Sequence, residues 1–199
     1  RLYRFKRNDA SVWAATFAGS EDRVASAGHD WTVALWETAS ESAPASLFEG
    51  HESAVQALAA DASGRWLASG GADKSVKLWN LETRQIKRTY RNHSDFVSAL
   101  AVSADTNLVA AASLDGSIKL WSTASSRPQR TFTAHKARVT SIAFSANSEL
   151  LASAAEDGTV RIRGLKRIRS YWTLNGMDQG TRAVAFAPDS RALITGGQD

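Results

Sequence analysis

The chain has 199 residues, 43% of them hydrophobic and 22% charged, with a formal net charge of +4. That balance supplies apolar surface for a core and excludes an extended, self-repelling chain. Cysteine is absent, which excludes disulfides and thiolate metal sites and fits a reducing compartment. The sequence has no stretch of about 18 uninterrupted apolar residues and no signal-peptide pattern near its start. The expectation is therefore an intracellular protein without membrane insertion. Its first residue is Arg1 and its last four are Gly196-Gly197-Gln198-Asp199, so both ends are expected to continue in a longer protein.

One period runs through the chain. Aspartates stand at Asp30, Asp73, Asp115, Asp157 and Asp199, spaced 43, 42, 42 and 42 apart. His51, His93 and His135 are 42 apart, and Trp36, Trp79 and Trp121 follow at 43 and 42. Three residue types keeping one period define a structural repeat.

In chain order, residues 1–5 (Arg-Leu-Tyr-Arg-Phe) are predicted to be the outer strand of a preceding unit, and 6–48 form the first unit. The second unit, 49–90, shows the pattern most clearly. Val55–Ala60 is an apolar-rich strand, and Gly64 marks a turn. Trp66–Ser69 is a second strand, Asp73-Lys74 a tight hairpin, Val76–Trp79 an alternating third strand and Gln85–Tyr90 a fourth. Alternation and turn chemistry both favour strands over helices. The units 91–132 and 133–174 repeat this order. Their hairpins contain Asp115-Gly116 and Asp157-Gly158, where glycine accepts positive φ. Residues 175–199 supply the first half of a further unit.

Four short strands in about 40–45 residues make one blade of a β-propeller. Gly50-His51, Leu67-Ala68-Ser69-Gly70, Asp73 and Lys77-Leu78-Trp79 resemble the WD-repeat family. Counterparts are Asn92-His93 with Ile118-Lys119-Leu120-Trp121, and Ala134-His135 with Leu151-Ala152-Ser153. The family's tryptophan is often followed by aspartate, whereas Glu37, Asn80, Ser122 and Gly164 occupy that place here. The resemblance implies an all-β WD-repeat β-propeller of four-stranded antiparallel blades, with about four full blades and partial blades at both ends. Propellers close with about 4–8 blades, about seven being usual in this family, and an open arc leaves unpaired strand edges. Part of a longer propeller is therefore expected. The alternative is a five-bladed ring closed by residues 1–5, which lacks a third strand.

His51, Ser69 and Asp73 have the residue types of a hydrolase triad. The resemblance implies a different role, in which Trp79 joins them in a buried hydrogen-bonded network bracing one strand on another. The third blade offers His93, Asp115 and Trp121, with Ala111 at the serine position. The fourth offers His135, Ser153 and Asp157, with Arg163 replacing tryptophan, and the first offers Asn8, Ser26, Asp30 and Trp36. A catalytic set occurs once, whereas these residues recur with the fold, so no enzyme is expected. Gly70–Ser75 resembles a phosphate loop but lacks the glycine before lysine and the following helix. The four histidines form no HExxH and no compact ligand spacing, so neither metal nor cofactor is expected.

The resemblance also implies a binding face, formed by residues flanking the first hydrophobic position of each inner strand and by the residue before the turn aspartate. These are Ser11, Trp13 and His29; Ala54, Gln56 and Ala72; Phe96, Ser98 and Leu114; Arg138, Thr140 and Glu156. Gly180, Arg182 and Gln198 occupy the same places in the divergent last repeat. Trp13, Phe96, Arg138 and Arg182 are residue types enriched in binding hot spots, and His29 is the one histidine outside the period. The alternative for Trp13 and Phe96 is packing between blades. A second candidate is the basic run Arg161, Arg163, Lys166, Arg167 and Arg169, either a site for phosphate or acidic protein or a solvated edge.

The functional expectation is a non-catalytic scaffold binding proteins or peptides in a large intracellular assembly. The alternative is a subunit of an RNA-processing or ribosome-assembly complex that meets nucleic acid through residues 161–169. Cytoplasmic, cytoskeletal, centriolar or axonemal, and nuclear settings all remain open at this stage.

Overall fold

A propeller blade is buried on both faces by its neighbours, so its middle strands can be apolar almost throughout while the outermost strand stays polar. The computed structural model, which describes residues 10–19, 21–38, 46–166, 171–175 and 180–197, shows middle strands that are largely buried or half-buried, while the outermost strand is mostly exposed at Gln85–Arg91 and buries Phe48 in blade one. Blade one contains β1 (Val12–Phe17), β2 (Arg23–Gly28), β3 (Val33–Glu37) and β4 (Ser46–Phe48). Blade two contains β5 (Val55–Ala60), β6 (Trp66–Gly71), β7 (Ser75–Asn80) and β8 (Gln85–Arg91). Blade three contains β9 (Val97–Val102), β10 (Leu108–Ser113), β11 (Ser117–Ser122) and β12 (Pro128–Thr133). Blade four contains β13 (Val139–Phe144), β14 (Leu150–Ala155), β15 (Thr159–Gly164) and β16 (Tyr171–Asn175). A two-stranded sheet, β17 (Thr181–Phe186) with β18 (Leu193–Gly197), follows. Strands pair antiparallel in sequence order, and the described residues contain no helix. The expected outer strand at 1–5, together with Asn8, Arg167, Arg169 and Gln198, lies outside the described residues.

The inner strands β1, β5, β9, β13 and β17 pack side by side, and each of the last four also covers the second strand of the blade before it. Val55, Val97 and Val139 occupy the same place in successive inner strands and are fully buried. Burying a valine contributes about 1.5–3 kcal/mol. Val12, with no described blade before it, is 62% exposed. The second strands are made of small residues so that the next blade can approach. A Cβ at Gly70 would lie 2.7 Å from a Val97 methyl.

Each inner strand is bulged at its start, between Val12 and Ala14 in blade one and between Val139 and Ser141 in blade four. A bulge leaves one residue unpaired and re-aims its side chain. In blades three and four that residue is a hydroxyl which reaches the following blade. Ser98 Oγ donates to the Val139 carbonyl at 2.6 Å, and Thr140 Oγ1 donates to the Thr181 carbonyl at 2.6 Å. Thr140→Val keeps the shape and removes this tie, so urea unfolding should show a loss of about 1–2 kcal/mol.

Candidate functional site

The triad-like residues of blade two form a closed chain. His51 Nδ1 lies 2.7 Å from Asp73 Oδ2, and His51 Nε2 lies 2.7 Å from Ser69 Oγ. Trp79 Nε1 donates to the same Ser69 oxygen at 2.7 Å. These contacts are satisfied together when Nδ1 carries the imidazole proton and the serine hydroxyl donates to Nε2. Burial pushes the Asp73 carboxyl upward, but the His51 hydrogen bond, with the backbone N–H groups of Ser75 and Glu52, holds it well below the carboxylate range. Ser69 is fully buried, so its oxygen braces strands and meets no substrate.

Blade four keeps part of this chain. His135 Nε2 lies 2.7 Å from Ser153 Oγ, and Nδ1 approaches Thr159 Oγ1 at 3.0 Å and Asp157 Oδ1 at 3.3 Å. In blade one, Trp36 Nε1 donates to Ser26 Oγ at 2.8 Å. In blade three, His93 packs edge-on against Trp121 at 5.6 Å between ring centroids. Ala111 offers no hydroxyl, so both His93 ring nitrogens and Trp121 Nε1 are buried without a hydrogen-bond partner. Asp115 instead accepts from the Ser94 hydroxyl and the Ser117 backbone N–H. Burial, with the nearby Lys119 charge, lowers the His93 pKa to about 4.

The candidate face lies at the opening end of the inner strands. One backbone hydrogen bond is repeated there in every blade. His29 N–H donates to the Ser11 carbonyl, Ala72 to Ala54, Leu114 to Phe96, and Glu156 to Arg138. It brings together the two segments that carry the predicted residues. Trp13 is 47% exposed, and its ring meets the exposed His29 edge-on at 5.8 Å between centroids. Gln56, Phe96 and Leu114 are half-buried, and Arg138 is exposed. Arg182 and Glu156 are exposed and approach to 3.8 Å across two blades. Ser98 and Thr140 are occupied by the blade-to-blade bonds described above.

Trp31 belongs to this end of blade one, and sequence reasoning missed it. It is 50% exposed and has φ of 66°. It follows the turn aspartate, where Gly116 and Gly158 adopt φ of 78° and 75° and Lys74 adopts 61°. The signal lay in the alignment of the turns, since a bulky residue stands where this backbone favours glycine. A second feature that was missed is a hollow of about 840 Å³ at the opposite end of the inner strands, lined by Phe17, Ala60, Val102 and Phe144.

The basic run is less free than its composition implies. Arg163 stacks over Phe132 at 4.2 Å, taking the place of the missing tryptophan. Lys166 pairs with Glu149 at 2.6 Å, and Arg161 is half-buried with its Nε enclosed. Among the described residues no three His, Asp or Glu side chains gather as a metal site, and no helix is long and apolar enough to cross a membrane.

The WD domain, G-beta repeat model matches residues 1–37, 42–80, 84–122 and 126–163. The chain belongs to the WD-repeat family. Over 76 residues it is 36% identical to the Notchless protein homolog of Arabidopsis thaliana, covering 38% of this chain and 16% of that protein. Over 43 residues it is 54% identical to ribosome biogenesis protein erb1 of Aspergillus fumigatus, covering 21% of this chain and 5% of that protein. Over 67 residues it is 34% identical to the ribosome biogenesis protein WDR12 homolog of Brugia malayi, covering 31% and 16%. The match thus spans about a sixth or less of each relative. WD repeats in this chain therefore share a blade's framework with these proteins over one or two blades.

Two predictions follow from the WD-repeat networks. Ser69→Ala orphans two buried groups and should cost about 1–3 kcal/mol for each, whereas Ala111→Ser gives His93 and Trp121 a shared partner and should stabilise. Chemical denaturation of the two variants reads these opposite signs. The depressed His93 pKa contributes stability above the unfolded value near 6.5 that is lost as pH falls through about 4. His135, lowered by burial, adds in the same direction. Unfolding free energy should fall by on the order of 3 kcal/mol from about pH 7 to about pH 4, and His93→Leu should flatten that limb.

Proposed function

We propose that this chain is a non-catalytic scaffold that holds a partner protein or peptide at the loop end carrying Trp13, His29 and Trp31. Family membership supports the general role. The observation that carries the specific one is the exposed aromatic group on blade one, above all Trp31. Holding a tryptophan at positive φ costs about 1–2 kcal/mol, and half of the Trp31 surface is exposed. Large exposed aromatics on a rigid frame are the anchors that interfaces use. Arg138 and the Arg182–Glu156 pair extend the face across later blades, where polar contacts would set the partner's orientation.

The names of the relatives favour a setting in ribosome biogenesis, and hence a nuclear assembly. Contact with nucleic acid through residues 161–169 draws less support, because Arg163 and Lys166 are engaged within the chain and Arg161 is half-buried. That contact would fall to Arg167 and Arg169.

The test separates binding from folding. Trp31→Gly relieves the turn and should raise stability by about 1 kcal/mol, while Trp31→Gly with Trp13→Ala should remove partners recovered by affinity capture with the whole protein. An unchanged set of captured proteins would assign the aromatic end no role in binding.

A further inference from the structure

A groove of about 310 Å³ lies between blades two and three, at the end of the blades opposite Trp13 and Trp31. Its walls come from four separate segments: Arg65 and Trp66, Lys87 and Arg88, Thr106 and Asn107, and Thr123 and Ala124. Three of these residues are cations, and none is a carboxylate. Arg65, Lys87 and Arg88 have no carboxylate partner among the described residues.

The groove is rigid where its charge is deepest. Arg88 Nε donates to the Thr123 carbonyl at 3.1 Å, and its Nη2 donates to the Ala124 carbonyl at 2.6 Å. Two bonds to the next blade fix the guanidinium plane, and Nη1 has no hydrogen-bond partner among the described residues. Arg65 lies over the Trp66 ring at 4.9 Å, which steadies a second guanidinium. Lys87 is exposed at the groove. Asn107 and the Thr106 hydroxyl supply polar groups between the cations, and the Thr123 hydroxyl donates to the Thr106 carbonyl. Fixed arginines with a lysine nearby suit an oxyanion of high charge density.

We propose that this groove binds the phosphomonoester of a phosphorylated partner protein, on a serine or threonine side chain. Its volume admits one phosphoryl group and the atoms next to it. A phosphomonoester carries close to two negative charges near neutrality, which three unpaired cations can offset. The surroundings argue against a nucleic-acid backbone. Asp105 holds Asn107 through both carboxylate oxygens, and Glu82 sits in the adjoining turn, so a strand running beyond the groove meets negative charge. The site accepts a point charge and repels a line of them. It lies apart from the aromatic end and stands whether or not that end binds a partner.

The test uses nuclear magnetic resonance titration of the whole protein at low salt with three probes. These are a Gly-Gly-phosphoserine-Gly-Gly peptide, its unphosphorylated form, and a uridine oligoribonucleotide of about twelve nucleotides. Saturable shifts at Arg65, Lys87, Asn107 and Thr123 are expected with the phosphopeptide alone. R65Q/K87Q leaves the Arg88 bonds in place and should weaken that binding at least about tenfold with an unchanged melting temperature. Should the double variant fail to fold, K87Q alone should weaken binding severalfold. Equal response to both peptides, undiminished binding by the folded variant, or tighter binding of the oligoribonucleotide at these residues would overturn the proposal.

Discussion

Everything in this molecule depends on each inner strand covering the face of the blade before it. A single four-stranded sheet with apolar residues on both faces has no independent core, since each face must be removed from water by something else. Here β5, β9, β13 and β17 do this in turn, with Val55, Val97 and Val139 buried at the start of the first three and Thr181 at the start of the last. The choice of Ala, Ser and Gly in β6, β10 and β14 follows from that demand, because larger side chains would hold the blades apart. Contacts are consequently made between neighbours in sequence, and function is left to whatever projects from the ends of the blades.

The buried polar groups show how much variation this arrangement tolerates. A histidine between two strands is satisfied only if aspartate and a hydroxyl stand at its two nitrogens, and blade two meets both conditions. Blade four replaces the tryptophan with Arg163, which regains an aromatic contact through Phe132. Blade three loses the hydroxyl and keeps a ring contact between His93 and Trp121, while three buried nitrogen atoms have no hydrogen-bond partner among the described residues. Since neighbours pack mainly through apolar surface, such a defect in one blade does not prevent the next from forming.

The fold was legible because its determinants are local and periodic. Val55–Ala60 is a strand with the predicted bounds, and the other predicted strands of blade two differ from the observed ones by one or two residues at their ends. In blade two the chain of bonds runs from Asp73 to His51, from His51 to Ser69 and from Ser69 to Trp79. What could not be read depends on three-dimensional approach. No spacing announces that the Ser98 and Thr140 hydroxyls reach carbonyls in the following blade, or that Arg163 stacks on a ring 31 positions earlier. The Arg65–Lys87–Arg88 groove combines residues scattered over two repeats, and the charge count gives no hint of it. Trp31 is a different case. Its position was visible, but its meaning required the backbone angle.

The unpaired nitrogens of blade three have a consequence for how the molecule breathes. Local opening lets water reach buried groups, and a group that lacks a partner gains more from that exposure than one already satisfied. That difference is expected to reduce the free energy of opening in blade three relative to blade two, so amide hydrogens in β10 and β11 should exchange with solvent sooner than those in β6 and β7. Thr106, Asn107, Thr123 and Ala124 all belong to this blade and form one wall of the cationic groove. A ligand seated there would bridge the firmer blade to the looser one, and its binding would register as slowed exchange in strands it never touches.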